Sequence, residues 1–335
     1  MANFDGTETP AAFGDSVAEL QALRGGCAVY DLSWRGFLIL TGADRVRWLN
    51  GMITNNIRDL EPNHGNYSFL LSAQGRIQAD LNAYNRGGYI MVTSERAQLP
   101  RVRESFDKYI IMDDVEVTDA TDKLTSLAVT GPTAHEVLMR AGFALPSLAA
   151  GQVLDTEWQG IGLSLVRGVS ERIQTYEVWL TPDNACRVWD ALVSGGASPA
   201  GTEALEWFRI LHGIPRYGVD IRDRDLPQET AQDHAMHFSK GCYVGQEIVE
   251  RIHSRGNVHR TFAGFELSID ELPSPGTKVQ RDGKGVGEIT SASRIPLPQP
   301  RVLALGYIRR EAAAHGTEVQ IGNSTARVAQ LPFQF

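Results

Sequence analysis

The chain changes its pattern after His259, and this change limits the folds that its C-terminal part can adopt. Beyond that point, short strand-like runs are separated by glycine and proline at intervals of roughly ten residues. The runs cover residues 262–267, 278–280, 285–290, 303–308 and 318–321. Short strands at this spacing are typical of a small β-barrel or sandwich. We therefore place a domain boundary near residue 258, with 1–258 and 259–335 as separate domains.

Residues 1–258 have a different rhythm, in which helices and strands alternate in two successive blocks. The first block predicts helices over 16–24, 45–49 and 96–110, with strands over 27–32, 36–41, 67–72, 77–84 and 88–93. The second block predicts helices over 131–139 and 184–192, with strands over 115–119, 125–130, 162–167 and 175–180. A further helix is expected over 203–211. Because neighbouring strands follow one another as hairpins, the pattern predicts a layered α+β body.

Charge and cysteine content narrow the possible classes of protein. The 335 residues carry a formal net charge of −8, which argues against a surface that follows nucleic-acid backbone throughout. The three cysteines, Cys27, Cys186 and Cys242, form no CxxC pair, so we expect a reducing compartment and no disulfide scaffold. Residues 1–15 lack the basic and apolar regions of a signal peptide, and no run reaches the ~20 apolar residues of a membrane span. We therefore expect a cytoplasmic protein without membrane contact.

The stretch Lys240–Glu247 collects polar and flexible residues in a way that core helices and strands do not. It reads KGCYVGQE and contains a thiol, an ammonium group, two acceptor-rich side chains and two glycines. Lys240, two residues before Cys242, favours the thiolate if the loop brings the two side chains together. The alternative is that Cys242 is a small buried apolar residue and that the glycines only form turns. The density of polar groups favours a functional loop.

Two groups near this loop have weaker signals. His234 and His237 could bind a metal together with Cys242, but no fourth soft ligand is close in sequence, so a structural metal is not expected. A basic group follows the loop and consists of Arg251, His253, Arg255, His259 and Arg260. It could bind a ligand carboxylate or simply form a solvated strand edge. No aromatic residues are interleaved with it, so direct nucleic-acid binding is not expected.

Two acidic residues in strand-like runs are ambiguous. Asp80 precedes Leu81, and Glu177 precedes Val178. A carboxylate that points inward is unfavourable unless it is paired or functional, whereas one that points outward is ordinary surface. The residue pattern leaves both interpretations open. The sequence also lacks P-loop, GxGxxG and HExxH motifs, which disfavours nucleotide-dependent kinases, dinucleotide oxidoreductases and zinc proteases.

Taken together, these motifs resemble one known family. The octapeptide resembles the KGCYxGQE signature of YgfZ-type folate-binding proteins, which are relatives of the glycine-cleavage T-protein, an aminomethyltransferase. Weaker matches occur in the same order along the family's sequences: residues 30–36, 49–55, 71–80, 213–220 and 285–291. The resemblance therefore runs nearly from end to end.

The resemblance implies a fold and a ligand. The expected fold is a T-protein-like ring of two ferredoxin-like α+β units and a C-terminal antiparallel β-barrel, around a central hole that binds tetrahydrofolate. Three kinds of group suit a folate: a carboxylate for the pterin edge, an aromatic wall and a cation for the glutamate tail. The candidates for these roles are Asp80 or Glu177, Tyr67 or Trp207, and Arg209 or Arg251. From the signature itself, Tyr243, Gln246 and Glu247 are expected to contact the folate, and Cys242 and Lys240 join Asp80 as candidate catalytic residues.

The resemblance leaves three functions open. The first is a tetrahydrofolate-binding helper in iron–sulfur cluster assembly or repair, with clients such as tRNA-modifying enzymes and partners among the assembly proteins. The second is an aminomethyltransferase or a related one-carbon transferase. The third is a scaffold without enzymatic activity that retains folate affinity. The T-protein's GGxxDD hairpin reads Gly75–Asp80 here with only one acid, and its GEDGFE-type segment reads Arg172–Glu177, so the first function is favoured over the second.

Overall fold

The computed structural model describes residues 1–4, 6–256, 258–268, 271–297 and 299–334. The chain divides into two compact units, each assembled from separate stretches of sequence. The first unit comprises residues 1–70, 79–204 and 239–243, and the second comprises 71–78, 205–238 and 244–335. The sequence-based boundary near residue 258 stays a prediction.

Among the described residues, five α-helices lie in the first unit. They are α1 (Ser16–Gly25), α2 (Arg45–Asn50), α3 (Leu99–Tyr109), α4 (Ala134–Arg140) and α5 (Ala185–Ser194). Asp15 caps α1 by accepting a hydrogen bond from the Val17 amide, and Pro100 occupies the first turn of α3 as the sequence predicts. Asp44 precedes α2 as predicted, but its carboxylate accepts from the Asp114 amide instead of capping the helix.

Thirteen strands belong to this part of the fold within the described residues. They are β1 (Ala2–Phe4), β2 (Thr7–Thr9), β3 (Ala28–Asp31), β4 (Arg35–Thr41), β5 (His64–Leu71), β6 (Ile77–Asn85), β7 (Ile90–Glu95), β8 (Glu116–Asp119), β9 (Thr125–Thr130), β10 (Val153–Trp158), β11 (Ile161–Arg167), β12 (Thr175–Leu180) and β13 (Ser198–Pro199). One sheet has the order β5-β6-β7-β4-β8 and another the order β10-β11-β12-β9-β3-β13. Strand β10 has no counterpart among the sequence predictions.

Strand β6 shows how the sequence directs one face of the five-stranded sheet towards the core. Ile77, Ala79, Leu81 and Ala83 are all buried, while the alternating Gln78, Asp80 and Asn82 are only partly buried. Successive side chains of a strand point to opposite faces, so the apolar set lies on one side and the polar set on the other. The position of Asp80 therefore follows from the parity of the strand.

The second unit contains two helices and a closed barrel among its described residues. Helix α6 (Thr202–His212) begins at the edge of the first unit, and α7 (Gln246–Arg255) starts within the KGCYVGQE motif. The barrel strands are β14 (Arg260–Leu267), β15 (Lys278–Arg281), β16 (Lys284–Ile295), β17 (Arg301–Arg309), β18 (Glu318–Ile321) and β19 (Ser324–Ala329). They close in the order β14-β17-β16-β15-β18-β19.

The barrel closes through a strand that the sequence analysis did not predict. Strand β19 pairs antiparallel with both β18 and β14, and its Ala326 and Val328 enter the barrel core. Closure leaves no exposed sheet edge, which is why a barrel forms here instead of a sandwich. The α+β class and the C-terminal antiparallel barrel are thus confirmed. Across the described residues, no helix is both long and apolar enough to pass through a membrane.

Candidate functional site

A group of polar side chains lies on one face of the five-stranded sheet in the first unit. Asn82 on β6 is the direct partner of Thr93 on β7, and Thr93 is the partner of Phe37 on β4. Asp80 is two residues before Asn82 and Arg35 is two residues before Phe37, so both share that face. We call Arg35, Tyr67, Asp80, Asn82 and Thr93 the polar sheet face.

Asp80 is the half-buried carboxylate of the polar sheet face. Its two carboxylate oxygens accept hydrogen bonds from the Tyr67 hydroxyl at 2.8 Å and from Gln98 Nε2 at 2.9 Å. The Gln98 side chain also accepts the Asp80 amide at 3.0 Å, so it holds both ends of the residue. Burial raises the pKa of Asp80, while the hydrogen bonds from Gln98 and Tyr67 oppose that shift. A carboxyl group in this state can exchange a proton with a bound ligand.

Glu177 is buried and points inward, which resolves the ambiguity that its sequence left. Its Oε1 lies 2.7 Å from Arg35 Nη2, and its Oε2 accepts the Trp179 indole N–H at 2.9 Å. The positive charge of Arg35 opposes the rise in the pKa of Asp80, so one guanidinium acts on both candidate carboxylates. Sequence reasoning gave Arg35 no role in a site, although a charged residue opening the apolar run of β4 was a usable signal.

Three atoms of the polar sheet face are buried without a hydrogen-bond partner among the described residues. They are Arg35 Nε, Asn82 Oδ1 and Thr93 Oγ1. They comprise one donor, one acceptor and one hydroxyl that can do either. An unpaired buried polar group costs about 1–3 kcal/mol, so native proteins rarely leave several together unless a ligand or water completes them. This face therefore has the unmet hydrogen-bonding capacity expected of a binding site.

The residues 240–243 of the KGCYVGQE motif also belong to the first unit, where Lys240 acts as an anchor. Its buried Nζ donates to the carbonyl oxygens of Ile53 at 2.7 Å and Asn55 at 2.6 Å. Burial lowers the pKa of Lys240 to about 7, with a smaller contribution from the charge of Arg58. The Lys240 ammonium also lies 5.1 Å from the centre of the buried Tyr243 ring.

Cys242 lies between these two buried residues and is exposed, as is Gly241. The sequence alternative of a small buried apolar residue is therefore wrong for this cysteine. The Lys240 amine donates to backbone carbonyl oxygens, so the structure supports anchoring of the loop by Lys240. The role of Cys242 as a catalytic residue remains a prediction.

The second half of the motif lies in the second unit and starts α7. Gly245 has a φ of 81°, and a Cβ there would lie 2.5 Å from the Ser72 carbonyl oxygen. Only glycine suits both this backbone conformation and this close approach to the 72–75 turn. Gln246 is half-buried, whereas Glu247 and Arg251 are exposed. Their predicted contacts with folate remain predictions.

Arg209 on α6 is fully engaged within the protein. Its Nε and Nη2 form a fork on the Glu206 carboxylate at 2.8 and 2.6 Å, as the i, i+3 spacing allows. The remaining donors reach Asp220 Oδ2, the Ile214 carbonyl and the Ser291 hydroxyl, so all five guanidinium N–H groups have acceptors. Trp207 on the same helix is half-buried.

Two members of the basic group have partners within the protein. Arg260 is paired with Asp225 at 2.6 Å and Glu229 at 3.0 Å, and His253 stacks on Phe238 with ring centres 3.9 Å apart. The side chain of Arg255 lies outside what the structure describes. In the described part of the chain, no three His, Cys, Asp or Glu side chains are grouped to hold a metal ion.

Comparison with known protein families and proteins finds matches along nearly the whole chain. The GCVT N-terminal domain matches residues 1–240, and the glycine cleavage T-protein C-terminal barrel domain matches residues 260–334. An aminomethyltransferase of Rubrobacter xylanophilus is 29% identical over 99% of this chain and 90% of its own length. A putative chloroplastic transferase of Arabidopsis thaliana is 26% identical over 96% of this chain and 74% of its own length.

Among solved structures, the glycine cleavage system aminomethyltransferase T from Bartonella henselae superimposes with a TM-score of 0.89. The match covers 99% of this chain and 93% of the other chain at 21% sequence identity. A likeness at this identity establishes a shared fold, and the closed C-terminal barrel is part of it.

Proposed function

Because the chain belongs to the glycine cleavage T-protein family, we propose that it is a tetrahydrofolate-binding protein of the YgfZ type that assists iron–sulfur cluster assembly or repair. Folate binding rests on one observation, the incomplete polar sheet face around Asp80. A pterin ring presents N–H donors and a carbonyl acceptor along one edge, which is the complement of carboxylates beside an unpaired donor.

The residues of the polar sheet face fit such a ring. Asp80 and Glu177 provide carboxylate acceptors, and the unpaired Arg35 Nε provides a donor. Asn82 and Thr93 offer further unpaired oxygen atoms, and the Tyr67 ring supplies an aromatic surface. When bound, tetrahydrofolate supplies amine nitrogens that carry one-carbon units. In this proposal the protein orients that ring and holds a proton at Asp80.

The exposed thiol of Cys242 supports the iron–sulfur function. Lys240 and Tyr243 fix the loop on either side, so the thiol is presented to solvent by a held backbone. Thiolates are the ligands by which proteins bind iron–sulfur clusters. Transient ligation of a cluster, reaction with an oxidised species and contact with folate are the three roles open to this thiol.

Aminomethyl transfer is the second candidate, and two observations favour it. The Rubrobacter xylanophilus relative carries that activity in its name, and the raised pKa of Asp80 suits a group that moves a proton during transfer. Against it, the position beside Asp80 that is acidic in the T-protein hairpin is Ala79, which is buried in the apolar core. This chain therefore has one carboxylate at a position where the transferase pattern has two.

The folate proposal is tested by calorimetric titration of the full chain with tetrahydrofolate under anaerobic conditions. We expect saturable binding, which Asp80→Asn weakens by at least about tenfold because a carboxylate acceptor is lost, equivalent to ~1.4 kcal/mol. Asp122→Asn removes a carboxylate that is 97% exposed in the same unit and should bind like the wild type. A flat titration of the wild type at high micromolar ligand would contradict every folate-based function.

The two candidate functions are separated by the thiol. In a host that lacks its own gene for this function, Cys242→Ala should fail to restore the activity of iron–sulfur enzymes. Cys186→Ala, at the other exposed cysteine, should restore it fully. Full rescue by Cys242→Ala would remove the thiol from the mechanism. Robust formation of methylenetetrahydrofolate and ammonia from tetrahydrofolate and an aminomethyl-lipoyl carrier protein would establish the transferase instead.

A further inference from the structure

A pocket of about 510 Å³ opens on the second unit, beside the C-terminal barrel. Its walls include strand β16 at Gly285–Glu288 and the buried Tyr307 on β17. None of the residues discussed for folate binding lines it. Its chemistry is therefore separate from that of the polar sheet face.

Cationic side chains dominate the lining of this pocket. Four of them, Arg224, Arg260, Lys278 and Arg309, face a single lining carboxylate, Glu288. Glu288 is shared between two of the cations, since it pairs with Arg224 and lies 3.3 Å from Lys278 Nζ. A third cation, Arg222, lies 3.8 Å from the same carboxylate. The second acid near Arg224 is Asp225 at 3.9 Å, which is itself paired with Arg260. This part of the pocket therefore keeps a positive charge.

The remaining two cations differ in how far other acids neutralise them. Arg260 is paired with Asp225 and Glu229, and its guanidinium lies 4.6 Å from the centre of the Tyr307 ring. Arg309 is 60% exposed, and its ion pair with Glu311 is loose at 3.8 Å. Loose, exposed pairs exchange readily for a better ligand, because they gain little from each other in water. Arg309 and Lys278 are therefore the cations best placed to take up an anion.

A buried donor in the wall points to the same kind of ligand. Tyr307 is 2% exposed, and its hydroxyl has no hydrogen-bond partner within the described ranges of the chain. Burial, followed by the charge of Asp225, raises the pKa of this hydroxyl, so it keeps its proton and can donate it in a hydrogen bond. An O–H donor beside the Arg260 guanidinium is suited to an oxyanion.

The barrel backbone leaves room for such a ligand. At Gly285 a Cβ would meet no atom within 4 Å, so the strand borders open space there. At Gly287 a Cβ would lie 2.2 Å from the Tyr307 carbonyl oxygen, so that position cannot carry a side chain. The two glycines keep these two positions of the wall free of side chains and allow a ligand to approach the main chain there.

We propose that this pocket is a binding site for an oxyanion with at least two negative charges, held by Lys278, Arg309 and the Tyr307 hydroxyl. Two kinds of molecule carry such a group, a phosphate ester and a chain of glutamate carboxylates. Either brings several negative charges to a pocket lined by several cations, whereas a single carboxylate brings one.

The test is isothermal titration of the full chain at low ionic strength with two probes, inorganic pyrophosphate and γ-linked triglutamate. At least one probe should bind in a saturable manner, and the tighter of the two identifies the source of the oxyanion. Lys278→Gln and Arg309→Gln should each weaken that binding by about fivefold. Tyr307→Phe should weaken it by about threefold without lowering the melting temperature, since the hydroxyl has no partner within the protein.

A matched control lies on the barrel strand next to the pocket. Arg281 is an exposed arginine on β15 that lies 3.9 Å from the Asp282 carboxylate and does not line the pocket. Arg281→Gln should bind both probes like the wild type. Failure of both probes to bind at millimolar concentration would overturn the proposal. Equal weakening by Arg281→Gln and Arg309→Gln would also overturn it, because it would reduce the effect to general surface charge.

Discussion

Two carboxylates, Asp220 in the second unit and Asp80 in the first, show how differently this chain treats the same chemical group. Asp220 is fully buried and accepts four hydrogen bonds, from the hydroxyls of Thr290 and Ser291, from Arg209 Nη1 and from the Arg216 amide. Asp80 accepts two side-chain hydrogen bonds, and its sheet face carries three unpaired buried atoms.

The difference separates a structural carboxylate from one available to a ligand. The Asp220 network is complete and links α6, the 213–220 segment and barrel strand β16 inside one unit. A complete network stabilises because every buried charge and donor has a partner. The hydrogen-bond network of the polar sheet face is incomplete. Its unpaired buried atoms can bind a ligand, but they lower local stability while no ligand is bound. The contrast predicts that Asp220 mainly stabilises the fold and that Asp80 mainly serves ligand binding.

The largest expected effect is that of Asp220→Asn. This change removes the fully buried one of the two carboxylates that pair with Arg209 and leaves only Glu206. It also places amide hydrogens against the donor groups of Arg209 and Arg216. Breaking one partner of a buried ion pair costs about 3–5 kcal/mol, so the free energy of unfolding in urea should fall by that amount.

The control for Asp220→Asn is Glu311→Gln, a carboxylate in the same unit that is 75% exposed. It should change the free energy of unfolding by less than about 0.5 kcal/mol. If Asp220→Asn loses less than 1 kcal/mol, roughly the scale of an exposed pair, the Asp220 network does not hold the second unit together.

A smaller effect is expected at Lys240, the anchor of the Cys242 loop. Burial lowers its folded pKa to about 7, so between pH 7 and its ordinary pKa the unfolded chain binds a proton that the folded chain does not. Stability then rises with pH across that window. Relative to Lys240→Met, which does not titrate, the wild type should gain on the order of 2–3 kcal/mol between pH 7 and pH 10.

Urea unfolding of both proteins at pH 7, 8.5 and 10 measures this difference. Lys123→Met, at an exposed lysine of the first unit, is the matched control. The same change in relative stability with pH in the two variants would show that the titration does not come from the buried amine of Lys240.

The sequence predicts most of the fold but little of the site, because the residues that meet in the site are far apart in the sequence. Period-two and helical patterns are local, so the α+β body and most barrel strands could be read directly. Strand β10 was missed because Asp155, Thr156 and Glu157 interrupt its apolar pattern. Strand β19 was missed although its alternating Ala326 and Val328 carried a usable signal.

The site depends on contacts that no local pattern reveals. Lys240 binds carbonyls of Ile53 and Asn55, which lie 187 and 185 residues away in sequence. Arg35 meets Glu177 across 142 residues. Motif reasoning nominated Lys240 and Glu177 as functional, but it could not say which partner each would meet. The parity of β6 did place Asp80 opposite the apolar set, yet strand register with β7 was needed to group it with Thr93.

The smallest expected effect on stability is that of Asp80→Asn, which completes the comparison with Asp220. Burial raises the pKa of Asp80, so folding makes its ionised form less favourable than it is in the unfolded chain. Asparagine removes that charge and keeps an acceptor for Tyr67, so the free energy of unfolding at pH 7 should stay within about 1 kcal/mol of the wild type. A raised pKa in the folded state makes the wild type more stable as the pH falls through that pKa. The free energy of unfolding of the variant, relative to the wild type, should therefore fall between pH 7 and pH 4. Urea unfolding at the two pH values, with Asp122→Asn as control, measures both effects. A loss above 2 kcal/mol at pH 7, the scale of a broken buried network, would make Asp80 a structural carboxylate like Asp220.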